Sequence, residues 1–153
     1  MKKLCIYLLL LPILSLFACD LTDLEDRDDL NEREAVQKAQ QDAVAATPEA
    51  LTATWEAYRL TDEGQDETYE IEGMRITLSS PDVMTATWLG NSQTGTWRLS
   101  NNQKALIIRM NTRLEPFEDL DDEWYIMQAS ATELHLHDPG ERGGEWLYLR
   151  KVQ

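Results

Sequence analysis

From about residue 50 to the C-terminus, apolar and polar side chains alternate in short runs separated by turn residues, the period-two pattern of strands with one buried face. The pattern is plainest in Thr94-Gly95-Thr96-Trp97-Arg98-Leu99-Ser100 and in Lys104-Ala105-Leu106-Ile107-Ile108-Arg109-Met110, joined by Ser100-Asn101-Asn102-Gln103. Asn accepts the positive φ that a tight hairpin demands, so the two runs are expected to fold back antiparallel on an Asn101-Asn102 turn. The spacing predicts eight strands, over 53–60, 69–79, 83–89, 94–100, 105–111, 123–129, 133–137 and 145–152. Turn chemistry separates them at Gly64, Ser80-Pro81-Asp82, Gly90-Asn91, Ser130-Ala131-Thr132, Pro139-Gly140 and Gly143-Gly144, and Gly73 inside the second run predicts a bulge or bend.

Alternation assigns an inward set: Trp55 and Ala57; Met74, Ile76 and Leu78; Met84, Ala86 and Trp88; Trp97 and Leu99; Leu106, Ile108 and Met110; Leu134 and Leu136. Trp124-Tyr125-Ile126-Met127 and Trp146-Leu147-Tyr148-Leu149 are apolar on both faces, so the outer face of each needs a cover, from a helix of this chain or from a partner. Many short antiparallel strands with little helix among them predict an all-β fold, an antiparallel up-and-down β-barrel of about eight strands, since closure removes the exposed edges.

The first half of the chain reads differently. Lys2 and Lys3, a short apolar run from Ile6 to Phe17 and the ending Leu16-Phe17-Ala18-Cys19 form a targeting segment too short for a comfortable membrane span. Residues 20–46 hold Asp, Glu, Gln and Ala without an aromatic residue or a glycine, which predicts a disordered acidic tether leading into a solvated helix over about 32–46. Thr47-Pro48-Glu49-Ala50-Leu51 has the grammar of a helix start, with Thr47 as cap, Pro48 at the first position and Glu49 at the positive end of the dipole, and such a turn is placed to plug one end of the barrel. The division is therefore 1–18 leader, 19–46 acidic tether and helix, and 47–153 barrel.

Two resemblances add to this. The ending of the leader resembles the lipobox of bacterial lipoprotein signal peptides, which implies cleavage after Ala18, lipid chains of the palmitate kind on Cys19, and a chain anchored to a membrane of the cell envelope, the outer membrane being the reading taken. Ala53-Thr54-Trp55, Gly95-Thr96-Trp97-Arg98-Leu99, Glu133-Leu134-His135-Leu136 and the closing Leu147-Tyr148-Leu149-Arg150-Lys151-Val152 resemble the lipocalin-like domain of small bacterial envelope lipoproteins. That resemblance spans about residues 50–153 and implies an up-and-down barrel with an internal site, without shared catalytic residues.

Charge narrows the partners. With 28 acidic against 14 basic residues the chain carries a net charge of −14, so phosphate backbones repel it and nucleic acid is not an expected partner. Only Cys5 and Cys19 are present, and lipidation with loss of the leader leaves the domain without a thiol for a disulfide, a nucleophile or a metal. His135, His137 and Asp138 have metal-ligand spacing but no third histidine joins them, and the acid-rich loop 115–123 lacks the spacing and glycine of an EF-hand. No metal, cofactor or catalytic residue is therefore assigned, and an enzyme is not expected.

The five tryptophans fall on five different predicted strands, so they line either an apolar cavity or a solid core. The longest loop, 112–122, carries Phe117 and Leu120 and is expected to fold over one barrel end. Trp88, Trp97, Met110, Phe117 and Trp124 are accordingly the expected ligand-binding residues, gathered as an aromatic rim at that end. Two functions are carried forward: a lipid-anchored, non-enzymatic module binding a small apolar or aromatic ligand, or a solid barrel that meets a protein partner.

Overall fold

A computed structural model of the chain describes residues 22–140 and 143–153, with side chains from Leu30 onward. The leader and Cys19 lie outside the described residues. Helix α1 (Thr22–Asp42) and a one-turn helix α2 (Pro48–Leu51) precede nine strands: β1 (Ala53–Asp62), β2 (Gln65–Asp66), β3 (Arg75–Ser79), β4 (Val83–Trp88), β5 (Asn91–Leu99), β6 (Ala105–Met110), β7 (Glu123–Ala129), β8 (Glu133–Asp138) and β9 (Glu145–Lys151). Each of β3 to β8 pairs antiparallel with the next, β1 pairs with both β3 and β9, and two-residue β2 only extends one end of β1. The result is a closed antiparallel up-and-down barrel of eight strands.

The alternation holds because one face of every strand meets the same core. Trp55, Ile76, Leu78, Met84, Ala86, Trp97, Leu106, Ile108, Trp124, Ile126, Leu134, Leu136, Leu147 and Leu149 are all buried in a single cluster. Trp88 and Leu99, also expected inward, are half-buried at strand ends and pack against its margin. Gly95 has a packing reason: a Cβ there would collide with the Arg109 carbonyl oxygen across the ladder and lie 2.7 Å from Met110 Sδ.

Four expectations change. Thr68–Glu70 is a turn of 3-10 helix and β3 starts only at Arg75, with Gly73 at φ +78 in the intervening turn, so the second strand is shorter than 69–79. Met74 is buried as the alternation expects, and Ile71, in the part that is not strand, is buried with it. Residues 91–93, left between two predicted strands, are strand as well, because Leu89 and Gly90, at φ +46 and +82, close a two-residue hairpin with Trp88 opposite Asn91. In the 100–104 turn the positive φ falls on Gln103, at +61, while Asn102 accepts hydrogen bonds from Ser100 Oγ at 2.7 Å and from the Lys104 N–H at 3.1 Å.

The acidic segment departs most. It is helical from Thr22, and its C-terminal part is docked: Ala39, Ala43 and Ala46 are buried. The Val44 N–H donates to the Ile126 carbonyl at 2.7 Å, next to a bulge in β7, and the Ala46 N–H donates to the Gln103 carbonyl at 2.9 Å. The last turn of α1 has no basic residue of its own, and Lys104 supplies one from the barrel, its Nζ reaching the Gln40 and Gln41 carbonyls at 3.2 and 3.4 Å. So α1 lies against the outer face of β7, which gives that two-faced strand its cover.

Candidate functional site

The two barrel ends are closed by the same device. At one end, α2 is capped by Thr47, whose Oγ1 accepts the Ala50 N–H at 3.3 Å, with Pro48 at the first position; Leu51 enters the core, and its carbonyl accepts the Trp55 Nε1–H at 2.9 Å. At the other, a single 3-10 turn over Glu118–Leu120 drives Phe117 and Leu120 into the core, and the Leu120 carbonyl accepts the Trp124 Nε1–H at 3.2 Å. In each case a short helical turn precedes a strand whose tryptophan, four residues on, ties the turn down. Asp121 pins the second plug further, its carboxylate accepting the Met110 N–H at 2.9 Å and meeting Arg109 Nη1 at 3.3 Å.

Above this second plug lies a cleft of about 840 Å³. Its walls are Leu60, Tyr69, Trp88 and Pro116 together with nine carboxylates, those of Asp62, Glu67, Glu70, Glu115, Glu118, Asp119, Asp121, Asp122 and Glu145; no basic residue is among its described lining. Strand register explains part of the crowding. Asp62 stands opposite Glu145 across β1 and β9, and Glu145 opposite Asp138 across β9 and β8, each in phase with an inward leucine: Leu60, Leu147 and Leu136. Like charges facing each other across a ladder oppose pairing. The carboxyls respond by holding protons: burial, then Asp62, Asp119 and Asp138, push Glu145 up to about 8. Burial and then Asp122, Glu32 and Asp62 raise Asp138 to about 6, and burial followed by Glu115 raises Asp119.

The sequence-expected ligand residues separate. Trp88 lines the cleft, its Nε1–H donating to the Glu72 carbonyl at 3.2 Å. Phe117 and Trp124 are at this end but fully buried, as the plug and its tie. Met110 is buried against Gly95, beside the cleft rather than in it. Trp97 is at the opposite end, its Nε1–H bonded to the Ser79 carbonyl at 2.8 Å, because β5 begins at Asn91 and carries it about 20 Å from the hairpin at roughly 3.3 Å per residue. There is thus no rim formed by Trp88 with Trp97. The acid-rich loop 115–123 singled out in the sequence supplies five of the nine carboxylates; what sequence reading missed is that Asp62 and Glu145 join them, although both fall in phase with inward leucines and are legible on that ground.

The two histidines are engaged on the outer face. His135 Nε2 lies 3.3 Å from the Tyr58 hydroxyl and packs edge-on against Tyr148, while His137 stacks on Trp146 with ring centroids 4.1 Å apart and its Nε2 lies 3.2 Å from the Gly143 carbonyl. Tyr148 also carries the Arg59 guanidinium 5.3 Å from its ring centroid, so neighbouring side chains cover the outer face of β9.

No family model matches the sequence. No curated protein matches it either. Among solved structures, the chain is similar to a lipocalin-like protein from Bacteroides uniformis, with 14% identity, a TM-score of 0.52, and coverage of 67% of this chain and 99% of that one. A DUF4847 family protein from Bacteroides vulgatus is similar at 13% identity and a TM-score of 0.49, over 68% of this chain and 96% of that one. The fold is lipocalin-like.

Proposed function

We propose that the protein is a lipid-anchored, non-enzymatic binding module of the cell envelope, and that its ligand is a small molecule with a positive charge and an apolar or aromatic part, held in the mouth cleft. The observation that carries this reading is the cleft itself: nine carboxylates around Trp88, Tyr69 and Leu60, set above a barrel interior already filled by its own side chains. A cation entering there relieves the repulsion that, with burial, pushes Glu145 and Asp119 up, and an indole face adds a cation–π attraction. A neutral apolar ligand of the kind a hollow barrel takes gains little from these walls.

Benzyltrimethylammonium is a suitable probe, followed by calorimetry and tryptophan emission. Binding is expected to weaken in 0.5 M salt and to fall about tenfold, equivalent to about 1.4 kcal/mol, in Trp88→Ala. Equal binding of the neutral analogue neopentylbenzene, or indifference to both changes, overturns the reading. The anchor is tested separately, since Cys19→Ser is expected to release the protein from the membrane fraction, and unchanged membrane association refutes it.

The filled interior also favours a second reading, a solid barrel that meets a protein partner. Failure of every cationic probe at millimolar concentration, with a partner recovered by crosslinking at the mouth, selects it.

A further inference from the structure

Helix α1 has a direction relative to the barrel. Its C-terminal end is fixed toward the end opposite the mouth, where the Ala46 N–H meets the Gln103 carbonyl at 2.9 Å and Lys104 reaches the Gln40 and Gln41 carbonyls. From there the helix runs back toward the mouth. Ala35 lines the same gap as Gly140, in the β8–β9 turn, and Trp146 at the start of β9, and Glu32 is close enough to Asp138 to help raise its carboxyl. Leu30 to Glu34 are all exposed. At about 1.5 Å per residue, the stretch from Ala35 back to Thr22 carries the chain about 20 Å farther in that direction.

The course of α1 fixes which end of the barrel is nearer the anchor. Cys19 is the third residue before Thr22, and an extended chain of that length spans at most about 10 Å. A lipid on Cys19 is therefore on the mouth side, within about 30 Å of the β8–β9 turn. The α2 end is farther away by the length of the barrel, about 26 Å along β5 from Asn91 to Leu99.

The exposed apolar side chains have the same bias. Among the described residues, the large hydrophobics most open to solvent are Leu89, 75% exposed at the β4–β5 hairpin, and Tyr69, 70% exposed in the wall of the cleft. Leu114 is exposed on the 112–122 loop, next to the lining residues Glu115 and Pro116, and Leu30 is exposed on the overhanging part of α1. At the other end the described turns expose only Val83. Leucine and tyrosine at loop tips gain burial in the interfacial layer of a bilayer. The carboxylates around them fit a surface without net negative charge, since anionic headgroups repel them.

We propose that the mouth is the membrane-facing end of the protein, with Tyr69, Leu89 and Leu114 as the rim presented to a zwitterionic lipid surface, so that a ligand enters the cleft from the side of that surface. This orientation rests on the Cys19 anchor of the proposed function.

With the leader removed and Cys19 acylated, a single introduced cysteine is the one thiol open to a fluorophore. The full chain, lipidated in bacterial cells and placed in phosphatidylcholine vesicles that carry a headgroup acceptor, is labelled at the mouth in Leu89→Cys or Leu114→Cys. At the other end it is labelled in Asn101→Cys or Ala131→Cys, and two positions at each end keep the test intact if one variant fails to fold. Energy transfer to the lipid is expected to be at least twofold greater from the mouth positions than from the far ones. Equal transfer from the two ends, or greater transfer from the far positions, in vesicle-bound protein overturns the orientation while the anchor stands. Protein that does not sediment with the vesicles overturns the anchor, and the orientation with it.

Discussion

The two ends of the barrel are closed alike and charged differently. Leu51 with Trp55 and Leu120 with Trp124 repeat one arrangement, a helical turn whose leucine carbonyl takes the indole N–H four residues later. Yet at the α2 end Glu49, the acid of the plug itself, is held low by its own backbone N–H and by Thr47. At the mouth the carboxyls of Glu145, Asp138 and Asp119 are all pushed up. Closing a barrel is a packing problem with one local solution, used twice. Gathering acids around one of the two plugs costs stability and does nothing for closure, and this difference is what supports the proposal that the mouth is the end that meets a ligand.

The largest effect expected is from cutting the ties. Trp55→Ala and Trp124→Ala each remove a fully buried indole and are expected to cost about 3–5 kcal/mol in denaturant unfolding. The corresponding Phe variants keep most of the volume but strand a buried leucine carbonyl, for about 1–3 kcal/mol. Matching losses at the two ends support the common device. A Trp124→Ala cost well under half that of Trp55→Ala breaks it and makes the mouth plug a loosely held lid.

A smaller effect separates the ends by pH. A carboxyl whose folded pKa is raised keeps its proton when the unfolded chain has lost it, so its penalty grows as pH rises from the ordinary value to the folded one. For Glu145 that window runs from 4.5 to about 8, and for Asp138 from 3.8 to about 6. The melting temperature is therefore expected to fall between pH 5 and pH 8. Glu145→Gln, a stand-in for the protonated acid, is expected to raise it by a few degrees at pH 8, roughly 4 °C per kcal/mol, and to leave it nearly unchanged at pH 4.5. Glu49→Gln acts with the opposite sign, removing a contribution that is present above 4.5 and lost as pH falls. An unchanged pH slope in Glu145→Gln contradicts the crowding account.

Most of the barrel is legible in the sequence because alternation against a single core is a local signal: Ile76 and Leu78, Leu134 and Leu136, and the Thr47-to-Leu51 plug all stand where the pattern puts them. Errors arise where a long-range contact overrides local chemistry. Ile71 is drawn inward before the strand begins, and residues 91–93 are strand because the hairpin is completed by Leu89 and Gly90. Helix α1 reads as solvated, since its docking rests on small alanines, backbone hydrogen bonds and a lysine 63 and 64 residues from the carbonyls it reaches, in the turn after β5. Of the expected site, Trp88 lines the cleft and Phe117 stands beneath it. The strand-end acids Asp62, Asp138 and Glu145 escaped because carboxylates at strand ends normally face water, and only their phase with Leu60, Leu136 and Leu147 distinguishes them.

The five indole N–H groups provide the most direct test, because each reports on a different place: Trp55 and Trp97 at the α2 end, Trp124 beneath the mouth, Trp88 in its wall, and Trp146 beneath α1. In a 1H–15N spectrum titrated with benzyltrimethylammonium, the signals of Trp88 and, less strongly, Trp124 are expected to move along saturable curves while those of Trp55, Trp97 and Trp146 stay in place. Movement of Trp55 and Trp97 in preference to Trp88, or no saturable movement at all, contradicts the assignment of the acidic mouth as the binding end.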